Sequence, residues 1–122
     1  MTIRAVEDYT AKPRIYLYTS SLDFTGTKIG TSASQTIAVT NNGKATLHVT
    51  DIYTNKRWSV DWKTASIEPG QYKMLTITYT PVEDPNLVID DPLTWDDSTL
   101  SIDSDAFNDN SFIIYLKAYG IP

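Results

Sequence analysis

The sequence has no cysteine and one histidine, His48. Without thiols there is no disulfide frame, zinc knuckle or thiol nucleophile, and the redox compartment stays open. A histidine with no second histidine or cysteine argues against a transition-metal site and against a His-based triad. Basic residues run out toward the C-terminal end: residues 1–81 carry nine Lys or Arg and six acids, whereas 82–122 carry one and nine. The net charge of −5 speaks against nucleic acid or an anionic membrane as a partner. Long apolar runs are missing as well. The longest, 112–116, is far too short for a bilayer, so no membrane insertion is expected. In "MTIRAVEDYTAKPR" Glu7 and Asp8 stand where a leader's apolar region would lie. An exported parent would carry its leader outside this chain.

What is present is a series of short runs with period two, parted by turn residues, and no helical periodicity. That pattern predicts an all-β domain, and 122 residues suffice for one real hydrophobic core. Strands are expected at 15–24, 34–40, 46–52, 57–63, 72–80, 98–103 and 111–119. By alternation the inward residues are Leu22 and Phe24, Ile37 and Val39, Leu47 and Val49, Leu75, Ile77 and Tyr79, Leu100 and Ile102, then Ile114, Leu116 and Ala118. Each large one contributes roughly 1.5–3 kcal/mol on burial. Trp58, Val60 and Trp62 also share a face, where both tryptophans either fill the core or flank an open groove. Pro69-Gly70 marks a turn, and Pro81 ends the strand before it by withholding a ladder donor. The acidic stretch 82–97, with Pro85 and Pro92, reads as an enlarged loop.

"VTNNGKATLHV" (39–49) sets a register problem. Asn-Gly is the strongest short signal for a type I′ hairpin turn. A two-residue loop at Asn42-Gly43 would pair Val39 with Thr46, yet the apolar sets are Ile37, Val39 and Leu47, Val49. Those sets would then face opposite sides of one sheet, a slip that puts one of them in water. Either the loop is longer and bulged, or the chain turns a corner into a second sheet packed on the first. The corner makes a β-sandwich.

"SLDFTGTKIGTSASQTIAVTNNGKATLHVTDI", "WSVDWKTASIEPGQYKMLTITYTP", "STLSIDSDA" and "IIYLKAYG" together resemble the abnormal-spindle/Hydin-type immunoglobulin-like domain, ASH. The pattern is similar to that of bacterial choice-of-anchor D modules and of the major sperm protein fold. Its points are Leu22-Asp23-Phe24, Gly30, Asn41 with Gly43, Pro69-Gly70 and Tyr79-Thr80-Pro81. The sequence departs from it at Thr25 and Ala118, where the family usually has glycine, and in the loop at 82–97. The resemblance implies an all-β, immunoglobulin-like β-sandwich of about seven strands in two sheets. The single domain would fill 13–122, after an N-terminal extension or linker at 1–12. It further implies a non-catalytic structural or protein-docking module of a larger protein. Bacterial members sit mainly in secreted, periplasmic or cell-surface proteins, the setting expected here, and eukaryotic ones at cilia, centrosomes and microtubules.

Candidate chemistry is sparse. His48 falls between inward Leu47 and Val49 and so points outward. The acids Asp90, Asp91, Asp96, Asp97, Asp103, Asp105 and Asp109 could supply calcium ligands, but the EF-hand spacing fails at Phe107 and Ile114 and has no central glycine. A solvated acidic end is the simpler reading. No catalytic, cofactor or metal residue is identified, and a hydrolase lacks its motifs. The aromatics are more informative. Tyr72, Met74, Trp95, Tyr115, Lys117 and Tyr119 are expected to form an outward surface. It would dock a neighbouring domain or another protein, or else stack on carbohydrate.

Overall fold

The computed structural model describes residues 11–82 and 94–122, and these form strands with no helix. The strands are β1 (Ile15–Tyr16), β2 (Ser21–Lys28), β3 (Ala33–Asn41), β4 (Leu47–Tyr53), β5 (Trp58–Val60), β6 (Ala65–Ile67), β7 (Tyr72–Tyr79), β8 (Thr94–Trp95), β9 (Ser98–Ser104) and β10 (Ser111–Ile121). One sheet runs β1-β3-β7-β5 and the other β2-β10-β9-β4-β6, with β8 pairing β10 beyond the end of β9. All pairs are antiparallel except β2 with β10. The expected extension at 1–12 lies outside the described residues up to position 10. Lys12 is tied in, since its carbonyl accepts from the Lys44 N–H at 2.8 Å.

The chain changes sheets at Asn42-Gly43, the second of the two solutions the register argument left open. β3 belongs to one sheet and β4 to the other. The corner is built on Asn41, whose side chain is fully buried. Its Oδ1 accepts from Gly43 N–H at 2.9 Å and Arg14 N–H at 3.3 Å, and its Nδ2 donates to the Ala45 and Ile67 carbonyls at 2.8 Å each. The turn is not type I′, because neither Asn42 nor Gly43 has a positive φ. Glycine is needed at 43 for closeness instead. A Cβ there would sit 2.2 Å from the Lys12 carbonyl oxygen and 2.5 Å from the Arg14 nitrogen. Pro69-Gly70 behaves as read: Gly70 has φ 79° and Gln71 N–H reaches the Glu68 carbonyl at 3.0 Å, a type II turn.

Among the described residues ten strands stand where seven were expected. The stretch 15–24 is broken, with β1 in the first sheet and β2 in the second. The inward residues shift from odd positions, Ile15 and Leu17, to even ones, Leu22 and Phe24, and no single strand does that. The strand expected at 57–63 is confined to Trp58–Val60, because Asp61 bonds Thr76 through both its backbone N–H and its side chain. β6 was missed because three residues with one buried apolar side chain carry no legible alternation.

Every residue expected to point inward is buried, joined by Ile15, Leu17, Ile52, Trp58, Ile67 and Ala106. Trp58 is core. Its ring meets Phe24 edge-on at 4.9 Å and stacks on Tyr79 at 4.7 Å. Trp62 packs half-buried at the rim, donating its indole N–H to the Met74 carbonyl at 2.8 Å with Lys73 Nζ 5.6 Å from its ring.

Thr25 marks a strained point. Register slips there between Lys117 and Ala118, leaving Phe24 unpaired in a bulge, and Thr25 takes φ 54°. A β-branched residue is poorly suited to that region, which costs about 1–2 kcal/mol per residue. Asp23 Oδ1 accepts from the Thr25 N–H at 2.8 Å and holds it there. Thr25→Gly is therefore expected to stabilise the domain by about 0.5–1 kcal/mol in urea denaturation, the relief exceeding glycine's extra entropy in the unfolded chain. A destabilised variant would show that the threonine side chain contributes more than its strain costs.

Candidate functional site

At one end of the sandwich the segment between β4 and β5 meets the segment between β8 and β9. A cleft of about 770 Å³ opens between them, lined by residues 53–60, Lys63 and 96–98. Asp96 fixes one wall: its carboxylate accepts the Tyr79 hydroxyl, and its carbonyl accepts the Trp58 indole N–H at 3.3 Å. Burial, then the hydrogen bond and charge of Asp96, push the Tyr79 phenol well above its usual range, against a smaller opposite pull from Arg57. Tyr79 is thus a permanent donor bracing the cleft from below. Asp97 is committed as well, its Oδ1 accepting from Ala118 N–H at 3.0 Å.

A second concavity of about 410 Å³ lies on the outward face of the second sheet and shares Asp97 and Ser98 with the first. Its floor comes from β2 and β10, where Tyr115 stands opposite Ser21 and Lys117 opposite Asp23. Tyr115 is 61% exposed although its chain neighbours Ile114 and Leu116 are buried.

Of the six residues expected to form one surface, the five whose side chains are described fall on two faces. Tyr115 and Lys117 line the groove. Tyr119, on the same strand, is half-buried, with its ring over Gly26: a Cβ on that glycine would lie 2.7 Å from Tyr119 Cε2. Tyr72 and Met74 are exposed, but on the outward face of the other sheet. There Tyr72 stands opposite Thr40, and Thr40 opposite Tyr16. The sandwich puts these two sets back to back because β7 and β10 belong to different sheets, which alternation within a strand does not disclose. Trp95 enters through its backbone in β8, and its side chain lies outside the described residues. Further along the first sheet the outward face is filled by facing hydroxyls, Ser34 with Thr78 at 2.9 Å and Thr36 with Thr76 at 3.3 Å. Tyr53 at the end of β4, and Thr54 and Arg57 in the link between β4 and β5, had no sequence signal as a site, since none of them belongs to a motif.

His48 is exposed and braces the surface: Asp105 accepts its N–H through Oδ1 and meets its Nδ1 through Oδ2, both at 2.8 Å. Burial raises the Asp105 pKa, but the His48 hydrogen bonds and charge outweigh it and hold the carboxyl below its usual range. Among the described residues the acidic end does not converge. Asp103 accepts the Ser111 hydroxyl, Asp109 the Ser111 N–H, and Asp96 and Asp97 the partners named above. Asp90 and Asp91 lie outside the described residues. Among the described residues no group of three or more His, Cys, Asp or Glu could hold a metal ion, and no helix is long and apolar enough to cross a membrane. Added calcium is expected to leave the melting temperature unchanged. A saturable rise with calcium but not magnesium would mean that these carboxylates share an ion in the folded state.

The profile of the family described as "Abnormal spindle-like microcephaly-assoc'd, ASPM-SPD-2-Hydin" (ASH) matches residues 17–93. A Porphyromonas gingivalis W83 protein of unknown function is similar in structure, with a TM-score of 0.68 and 21% identity over 89% of this chain and 48% of that one. This chain therefore spans about half of that protein's length. The ASH/PapD-like domain 7 of human CEP192 gives a TM-score of 0.59 at 10% identity, covering 91% of this chain and 86% of that one. The Pseudomonas aeruginosa CupB2 chaperone gives 0.58 at 14% identity, covering 88% and 55%. No curated protein matches by sequence. ASH domains are a non-catalytic type of module. With the profile spanning more than half of its length and the two-sheet architecture to match, the chain belongs to the ASH family of immunoglobulin-like β-sandwich domains.

Proposed function

We propose that this domain is a non-catalytic docking module that seats a neighbouring domain or another protein in the groove at Tyr115 and Lys117. The observation that supports it is Tyr115 itself, a large side chain left 61% exposed at a concave site while the core closes without it. Tyrosine in such a place offers apolar area and a hydroxyl at small entropic cost. Lys117, Asp23 and Asp97 surround it with charge of both signs, which favours a polar-rimmed protein contact. Strand addition is the weaker route. The open edge of β2 is kinked by the Thr25 bulge, and its Asp23 carbonyl is occupied by Gln35 Nε2 at 2.8 Å. An exported or cell-surface setting belongs to the same proposal, supported by the resemblance to bacterial choice-of-anchor D modules.

The test is calorimetry between this domain and the adjoining domain of its parent protein. The double variant Tyr115→Ser, Lys117→Ser should fold normally and bind at least about tenfold more weakly, the scale of one interface hot spot. Unchanged affinity removes the groove from the contact. Oligosaccharide binding that disappears in the same variant would replace the protein partner by carbohydrate.

A further inference from the structure

Two buried side-chain polar atoms among the described residues have no hydrogen-bond partner, Thr54 Oγ1 and Arg57 Nε. Both belong to residues lining the 770 Å³ cleft. A buried donor left unpaired is costly, and groups of this kind are uncommon enough that each requires a reason. Arg57 also has no ion pair among the described residues, where His48 with Asp105 is the one pair found. Its carbonyl is used, accepting the Thr80 N–H at 2.9 Å, so the backbone is fixed while Nε of the guanidinium is left without a partner.

The surroundings select the charge of what would complete it. Lys56, Arg57 and Lys63 line the cleft against Asp96 and Asp97, a basic spot on a chain of net charge −5. Each aspartate already accepts an internal hydrogen bond, from Tyr79 and from Ala118. Their remaining negative charge repels a polyanion and tolerates a single anionic group approaching from the Arg57 side. A guanidinium presents its donors as a planar fork that a carboxylate accepts in two parallel bonds. Tyr53, 67% exposed on the cleft wall, supplies apolar cover beside it.

We infer that the cleft is a specificity site for one side-chain carboxylate of the docked protein, received by the guanidinium of Arg57. This rests on the docking reading and adds to it, because the cleft joins the Tyr115 groove through Asp97 and Ser98 and a single partner segment can reach both. The partner residue is an Asp or Glu with neutral or basic neighbours in its own sequence.

The test needs only this domain. In the ¹⁵N-labelled protein the Arg57 Nε–Hε resonance is followed while N-acetyl-glutamate amide, N-acetyl-glutamine amide, succinate or inorganic phosphate is added. The glutamate compound should shift it saturably and the glutamine compound should not; the backbone amides of 53–60, present in every variant, should report roughly tenfold weaker binding in Arg57→Lys, which keeps the charge and loses the fork. Arg57→Met should abolish the shifts of those backbone amides with the melting temperature unchanged or raised, since it removes an unpaired buried group. A fall in melting temperature would instead show the guanidinium serving the fold, overturning the inference. So would an absent or unsaturable shift, an equal response to the glutamine compound, or tighter binding of succinate or phosphate. These outcomes are read at Arg57 without the partner, so they are separable from failure of the Tyr115 experiment.

Discussion

Replacing Asn41 by alanine is expected to cost about 3–5 kcal/mol, the largest effect of any polar substitution in the domain. Four backbone groups depend on that one side chain: the Gly43 and Arg14 N–H groups and the Ala45 and Ile67 carbonyls. Each left unpaired in a buried site costs about 1–3 kcal/mol, and water entering the corner recovers part of the sum. Asn41→Asp is expected to be no milder, because it removes both donors and buries a charge. Urea denaturation measures both. A loss below about 1 kcal/mol for the alanine variant would mean that the β3–β7 ladder and the close approach at Gly43 hold the corner without the asparagine.

The second large effect is in the core. Ile77→Ala and Leu116→Ala, one from each sheet and both almost wholly buried, should each lose about 2–5 kcal/mol through lost burial and the cavity left behind. Tyr72→Ala and Lys117→Ala, on the outward faces, should each lose under about 1 kcal/mol. The contrast makes the sandwich's inside and outside measurable in solution. An inverted ranking would swap the faces and remove Tyr115 from the surface on which docking is proposed.

Much of this fold was legible, for an identifiable reason. Where a strand is long and half-buried, alternation determines its faces, and every residue read as inward on β3, β7, β9 and β10 is buried, with Asn41 of β3 an inward residue it passed over. The Asn42-Gly43 corner was visible as a conflict between turn signal and register. The same kind of signal, the change of parity between Leu17 and Leu22, shows that β1 and β2 are separate strands. What alternation cannot carry is partnership between sheets. It grouped Tyr72 with Tyr115 as outward residues, but only the sheet order shows that they look in opposite directions. The cleft was illegible for a further reason. Arg57 and Thr54 are distinguished by bonds they do not make, and a missing partner is a property of three-dimensional surroundings.

The central claim is that Tyr115 is covered when the domain stands in its working assembly. Hydroxyl-radical footprinting of the tyrosines, in the isolated domain and in the intact parent protein with its partner present, measures that coverage side chain by side chain. Tyr18, 67% exposed in the link between β1 and β2, serves as the internal standard. The account predicts that Tyr115 oxidation slows several-fold in the assembly while Tyr18 is unchanged. Equal oxidation of Tyr115 in both states, with protection at Tyr72 instead, would contradict it and move the docking surface to the opposite sheet.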